Sequence, residues 1–317
     1  MTRPKRFVAA LGGNALAKRG EPISAEVQLA NIRSAVAALA PLIDSDRQLV
    51  ITHGNGPQVG MLALQAAAGP REGQFSLDIL DAESEGMIGH MIELELRNAL
   101  AAGSDVATLL TQVLVDAADP AFSAPSKRIG PVYSQHRSLE LSAERGWPMA
   151  RDGEGWRRVV ASPIPVGIPG IAVIERLVRA GITLICAGGG GIPIMRDGDG
   201  RLTGVEAVID KDLVSALLAR ELNADHLLLL TDVPGVYLDW EHGRRQLVAR
   251  AGPAMLDHRS FLTGSMSPKV EAANTFAAAM RKPASIGRLE DAALILAGRA
   301  GTTIDPSASD ICFHAAV

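Results

Sequence analysis

Aromatic residues make up only 3% of this 317-residue chain, with two tyrosines, three tryptophans and six phenylalanines. Stacking platforms for single-stranded nucleic acid need more rings than that. The formal net charge of −4 supplies no general attraction for a phosphate backbone or an anionic membrane either. Cysteine is nearly absent. Cys186 sits in an apolar run and Cys312 lies near the C-terminal end, with no C-x-x-C anywhere. A disulfide-stapled secreted scaffold is thereby excluded, and Cys312 with His314 offers too few ligands for a metal site. Long apolar runs are missing too. Residues 7–11 follow Arg3, Lys5 and Arg6 but fall short of a signal-peptide core, and no later run could span a bilayer. The chain reads as cytoplasmic. The scarcest charged residue is lysine: six of the 31 basic residues, at positions 5, 18, 127, 211, 269 and 282. A chain that otherwise uses arginine keeps lysine where a compact ammonium on a flexible stem has a task, such as following a phosphoryl group.

What the chain does contain is a recurring pattern of apolar run, glycine and polar group. It appears first at residues 8–16, V-A-A-L-G-G-N-A-L, where Gly12 and Gly13 allow a sharp turn after Leu11. It returns at residues 53–57 (H-G-N-G-P), at the four glycines 188–191, and at 264–269 (G-S-M-S-P-K). Backbone N–H groups after a strand suit a phosphate; a tight turn without a ligand is the alternative at any single site. The recurrence favours the ligand.

Apolar spacing places strands at 7–11, 49–52, 106–111, 182–187, 205–209, 226–230, 284–286 and 302–304. Helices are expected at 24–43 behind a Ser24 cap, at 57–64, and at 77–100 closing at Gly103. Others follow at 171–180, from Asp212 to about 222, at 253–258, from Lys269 to about 280, and at 289–297. The D-G-D-G at 197–200 marks a hairpin turn. Alternating strands and helices imply an α/β fold, a mostly parallel sheet covered on both faces. Residues 116–165 break the rhythm with prolines at 120, 125, 131, 148, 163 and 165 and a run of basic residues that includes Lys127, Arg157 and Arg158. Tyr133, Leu139, Leu141, Trp147 and Trp156 can form a small core, so this segment is an inserted subdomain, either surface decoration or a basic lid over an anionic substrate. A single domain over 1–317 then has an N-terminal lobe, 1–209, and a C-terminal lobe, 210–317.

Ligands of such sheets bind beyond the carboxyl ends of the strands. Residues 12–14, 53–57, 188–191, 210–212 and 231–237 all follow strands and can meet at one edge. Lys211 and Lys269 bring positive charge there, and Asp210 and Asp232 bring negative charge. Phosphoryl transfer needs this mixture: donors for phosphate oxygens, cations against developing charge, and a carboxylate to hold lysines or, through water, Mg²⁺. Walker, H-R-D and D-F-G motifs are missing, which excludes those kinase families. Each residue alone has a plainer reading: a charge cluster at a helix start for Lys211, a helix start for Lys269, a turn for Asp232, a structural role for His53. Glu83 and Glu85, two apart, do not share a helix face and make a poor acid pair.

These segments resemble the carbamate kinase branch of the amino-acid kinase family over nearly the whole chain. The markers are A-L-G-G-N-A at 10–15, T-H-G-N-G-P-Q-V-G at 52–60, E-G-M-I-G-H at 85–90, S-K-R-I-G-P-V-Y at 126–133, G-W-R-R-V-V-A-S-P at 155–163, C-A-G-G-G-G-I-P at 186–193, V-E-A-V-I-D-K-D at 205–212, and the segments 230–237 and 264–272. The resemblance implies an open αβα sandwich with a small inserted lid, usually a homodimer. It implies the Mg²⁺-dependent reaction of ATP with carbamate to give ADP and carbamoyl phosphate, often run toward ATP. By that similarity Gly12, Gly13, Asn14, Gly54, Asn55 and Gly56 hold the acceptor and the transferred group. Lys127 reaches in from the insert, Lys211 and Lys269 stabilise the phosphoryl group, and Asp210 positions those lysines. Gly188, Gly189, Asp232, Val233, Tyr237, Met266 and Lys269 border the nucleotide; no residue is assigned to a metal. Ile164, Pro234 and Ser267 depart from the family pattern. Another small carboxylate acceptor, or a non-catalytic nucleotide-binding regulator, are the alternatives.

Overall fold

Alternate residues of the first strand face opposite ways, and that alternation sets the architecture. In β1 (Lys5–Leu11), Val8 and Ala10 enter one hydrophobic core while Phe7, Ala9 and Leu11 enter another. A strand apolar at every position must be covered on both faces. The computed structural model describes residues 4–16, 21, 24–44, 46–69, 75–240, 244–256 and 266–315.

The N-terminal elements are α1 (Gly13–Leu16), α2 (Ala25–Leu39), β2 (Arg47–His53), α3 (Gly56–Ala68), α4 (Leu77–Ala99), β3 (Val106–Leu109) and β4 (Gln112–Val115). Next come β5 (Lys127–Tyr133), α5 (Gln135–Arg145), β6 (Met149–Asp152), β7 (Gly155–Val160) and β8 (Pro165–Gly167). The chain continues with α6 (Ile171–Arg179), β9 (Thr183–Cys186), β10 (Ile192–Arg196), β11 (Leu202–Gly204), α7 (Lys211–Glu221) and β12 (His226–Thr231). It ends with β13 (Tyr237–Trp240), β14 (Arg244–Ala251), α8 (Met266–Met280), β15 (Ala284–Arg288), α9 (Ala292–Leu296), β16 (Thr302–Ile304) and β17 (Cys312–Phe313).

The main sheet runs β13-β14-β16-β15-β12-β1-β2-β9-β3, with β17 paired to β14. Its centre is parallel: β1 pairs with both β12 and β2, and β9 with both β2 and β3. Helices α2, α4 and α9 cover one face through Ile32, Val36, Ile88, Ile92 and Ile295. Helices α6, α7 and α8 cover the other through Ile174, Val178, Val214, Leu218, Val270 and Phe276. This is an α/β fold with a mostly parallel central sheet between helical layers. In register Leu11 faces both His53 and Leu230, so β1, β2 and β12 end level and their following loops share one edge.

Within 116–165, β5, β7 and β6 form a separate three-stranded sheet accompanied by α5, which Ser134 caps at its start and Gly146, at φ 70°, ends. A second small sheet, β11-β10-β4-β8, joins its base to the D-G-D-G hairpin. Some expected boundaries move. Residues 205–209 form no strand, only an isolated bridge between Ala207 and Ala161. Residues 253–256 make a turn closed by Met255 N–H to Gly252 O rather than a helix; Asp257 and His258 lie outside the described residues. The strand expected over 106–111 stops at Leu109 because the amide of Thr111 is turned to a side chain, Glu85. Among the described residues no helix is long and apolar enough to cross a membrane.

Candidate active site

The glycine loops at the shared edge let backbones touch more than they offer free N–H groups. Gly12 N–H donates to Leu230 O at 2.8 Å and Gly54 N–H to Leu11 O at 3.1 Å, so both amides are committed to the sheet. A Cβ on Gly54 would stand 3.0 Å from Gly13 N and Cα and 3.3 Å from Lys211 Cδ. Only glycine allows the 53–57 loop, the start of α1 and the Lys211 stem to close so tightly. Gly13 opens α1 and Gly56 opens α3, with Pro57 in its first turn. The side chain of Asn14 lies outside the described residues, as do Gly264 and Ser265.

The expected lysines meet above this edge. Lys211 Nζ stands 2.5 Å from Asp212 Oδ1, and Lys269 Nζ 3.0 Å from Asp212 Oδ2. All three are buried. Asp212 therefore bridges two lysines from α7 and α8, 57 residues apart in sequence. Asp210, expected to position these lysines, is the N-cap of α7, accepting from Asp212 N–H at 2.9 Å; its other oxygen pairs with Lys127 Nζ at 2.5 Å, and the carboxylate that bonds both Lys211 and Lys269 is Asp212. As a capping residue with extended backbone, Asp210 spends one oxygen on the first turn of α7 and the other on Lys127, and acts on Lys211 through charge alone. Burial alone would raise the Asp212 carboxyl, but the adjacent Lys211 and Lys269 charges outweigh it and hold it well below the usual range. Asp210 is likewise lowered, burial being overcome by the Lys127 charge. Lys211 is lowered by burial, and the Lys269 charge adds to that. Three lysines stand against two aspartates, so the formal charge of the cluster is one positive.

On the neighbouring side, α4 contributes Asp81 and Ser84, which the sequence did not single out, and Glu85, which it offered only as half of a poor acid pair. Asn55 Nδ2 donates to Asp81 Oδ1 and to Ser84 Oγ, both at 2.8 Å. Glu85 accepts from Gly188 N–H at 2.8 Å through one oxygen and from Thr111 N–H at 3.1 Å through the other. Glu85 is pushed up to about 8 and Asp81 is also raised, in both cases chiefly by burial. His53 is fully buried and burial lowers it to about 4, so it is neutral; its Nδ1 lies 3.3 Å from Gly54 O. The signal for Asp81, Ser84 and Glu85 was present: they share the stripe of Leu77, Leu80, Ile88 and Ile92, where a helix buries its face. Glu83, by contrast, is exposed.

Gly188 and Gly189, expected beside the nucleotide, pack against His53 and Asn55 on this side. A Cβ on Gly188 would lie 2.3 Å from the His53 ring, and one on Gly189 2.2 Å from Asn55 Nδ2. Asp232, Val233 and Tyr237 follow β12, with Asp232 and Tyr237 exposed and Thr231 Oγ1 donating to Asp232 Oδ1 at 3.1 Å. Met266 begins α8, one turn before Lys269. Ser267, also in that first turn, is accommodated by the helix; Ile164 is exposed at the base of the insert. The described residues hold no group of three or more metal-ligating side chains.

Comparison with known proteins places this geometry in context. A profile of the amino acid kinase family matches residues 5–288. The carbamate kinase of Rhizobium meliloti (strain 1021) is 51% identical, covering 98% of this chain and 97% of its own. That of Haemophilus influenzae is 48% identical over 98% of this chain and all of its own. Among solved structures, carbamate kinase from Giardia lamblia bound to AMP-PNP is 36% identical, covers 96% of this chain and 99% of its own, and superposes with a TM-score of 0.85.

Proposed function

The chain belongs to the amino acid kinase family, and on that premise we propose that it transfers a phosphoryl group reversibly between ATP and carbamate, working mainly to make ATP from carbamoyl phosphate. The observation that carries the reading is the buried Lys211–Asp212–Lys269 bridge, set against Gly13 and Gly54 at the sheet edge. Two ammonium groups held by one carboxylate leave positive charge to spare. That surplus is what the equatorial oxygens of a phosphoryl group in flight require, and burial strengthens it.

The roles divide by position. Gly12, Gly13, Asn14, Gly54, Asn55 and Gly56 shape the acceptor end, where Gly188 and Gly189 join them. Lys127 arrives on the insert, anchored by Asp210. Asp232, Val233, Tyr237 and Met266 border the nucleotide. Carbamate is already an anion, so its oxygen attacks without a general base, in keeping with a neutral His53. Both oxygens of Asp212 and both of Asp210 are engaged, and the described residues hold no group of three or more metal-ligating side chains. The magnesium is assigned to the nucleotide phosphates, as part of the substrate. Exposed Leu94 and Leu110, beside the edge strand β3, support a homodimer. ATP and ADP as substrates support the cytoplasm.

The test is ATP formation from carbamoyl phosphate and MgADP by purified protein, beside Lys211→Ala and Lys269→Ala. Turnover should fall by about 10²–10³ in either variant, the scale of a lost transition-state donor. A folded, nucleotide-binding wild type that makes no ATP would sink the reading, and undiminished turnover in a variant would remove that lysine's role.

A further inference from the structure

Two buried carboxyl groups are left unused by this chemistry. Asp81 and Glu85 stand one turn apart on α4, each about 1% exposed. Each holds a different loop. Asp81 Oδ1 and Ser84 Oγ both take the Asn55 amide, and Ser84 is itself fixed by donating to Asp81 O at 3.0 Å. Glu85 ties Gly188 to Thr111, while Thr111 Oγ1 accepts from Ala187 N–H at 2.9 Å. The 187–191 loop needs that restraint, because Ala187, Gly189, Gly190 and Gly191 all have positive φ, and Ala187 is not a glycine. The two loops then press together, Gly188 on His53 and Gly189 on Asn55.

We propose that Asp81 and Glu85 are positioning residues for the acceptor half of the site, Asp81 fixing Asn55 and Glu85 fixing the Gly188 loop, so that both form one rigid wall against carbamoyl phosphate. The substrate named here rests on the proposed function; the clamp itself does not. Asp81 faces Glu85 and Asp78 on its own helix and Glu206 beyond β11, all of which raise it. Glu85 stands near Asp81, the Cys186 thiol of β9 and, across Gly188, the neutral His53 ring of β2. Burial and these neighbours favour the protonated carboxyl, and what Asn55 uses is a single acceptor, Oδ1, which a carboxamide oxygen also supplies. Asparagine can replace it and alanine cannot.

The experiment compares wild type with Asp81→Ala, Asp81→Asn, Glu85→Ala and Ser84→Ala, using full kinetics for both substrates and amide hydrogen exchange of peptides spanning 53–57 and 186–191. Asp81→Ala and Glu85→Ala should lose about 10² in kcat/KM for carbamoyl phosphate, the cost of a misplaced reacting group, with KM for MgADP changed less than about threefold. Asp81→Asn should stay within about threefold of wild type in both. Exchange should quicken in the 186–191 peptide for Glu85→Ala and in the 53–57 peptide for Asp81→Ala. Equal rises in KM for both substrates, or unchanged exchange in folded variants, overturn the proposal. Should Asp81→Ala not fold, Ser84→Ala decides: it removes one hydroxyl, and the same selective loss at smaller size is expected, its absence being fatal. If wild type makes no ATP, the functional reading fails separately and the exchange data alone judge the clamp.

Discussion

Asp212 sets the charge balance of the site, since its two oxygens each hold a buried lysine, and its charge opposes the lowering that burial imposes on Lys211. Removing it leaves Lys211 and Lys269 buried together without a counter-charge. Asp212→Ala should therefore cost about 3–5 kcal/mol, the range for breaking a buried pair, in denaturant unfolding. Lys269→Met should cost less, because Asp212 keeps Lys211; equal losses would show that the bridge is not the unit. The pH dependence has a definite sign. A carboxyl held below its ordinary value stabilises the fold above the unfolded value near 3.8, and that contribution disappears as pH falls through the depressed value. At this scale the sequence was partly legible. The scarcity of lysine picked out 211 and 269, but D-K-D offers a carboxylate on either side of Lys211. An aspartate immediately before a helix is a cap, and reading Asp210 so would have left Asp212 to the lysines. Spacing alone could not reveal a partner 57 residues away.

At the scale of elements, the insert is fastened to the acceptor loop through α3. That helix starts at Gly56, beside Asn55, and its Gly60 lies directly on Gly130 of β5: a Cβ on Gly60 would fall 2.0 Å from Gly130 Cα. Arg157 adds two hydrogen bonds to Gly130 O, and Arg158 stacks on Trp147 at 4.3 Å. Lys127 opens the same strand, so the seat of β5 on α3 governs where its ammonium meets Asp210. Gly60→Ala must push backbone from backbone, which costs about 1–3 kcal/mol where a core is overpacked. The larger expected effect is on function, a fall of about 10² in kcat/KM from displacing Lys127, measured beside the thermal midpoint. Full activity in a folded variant would mean that the insert's seat does not place Lys127. Both glycines stood within the sequence motifs, as did the prolines and tryptophans that marked the insert. What the sequence could not supply was their contact. Periodicity likewise located most strands and helices, and failed at 205–209 and 253–256, where a short apolar run is held by single bridges and turns rather than a ladder.

Across the whole molecule, two histidines at opposite ends of the central strands, one buried and one half-buried, pull stability one way with pH and Glu85 of α4 pulls it the other. His53 closes β2 at the ligand edge; His226 opens β12 at the far end, with Nε2 2.9 Å from Ser285 Oγ. Burial lowers both from 6.5 to about 4. Between those values the unfolded chain binds protons that the native chain does not, so stability falls as pH drops from 6.5 to 4. The slope is about 1.4 kcal/mol per pH unit for each ring, less where water reaches it. Glu85 behaves oppositely: raised from 4.5 to about 8, it keeps its proton in the fold and costs stability as pH rises through that interval. Between 4.5 and 6.5 Glu85 offsets one of the two rings, leaving a net slope of about one group. Below that window the histidines act alone, and above it Glu85 does, giving stability an acid limb and an alkaline limb. His226→Gln preserves an acceptor or donor for Ser285 without titrating and lies away from the ligand edge. Subtracting its unfolding free energy from that of wild type cancels every other carboxyl in common. The difference should change steadily from pH 6.5 to 4 and be flat above 7; a difference that is flat throughout would mean that His226 is protonated alike in the folded and unfolded chain.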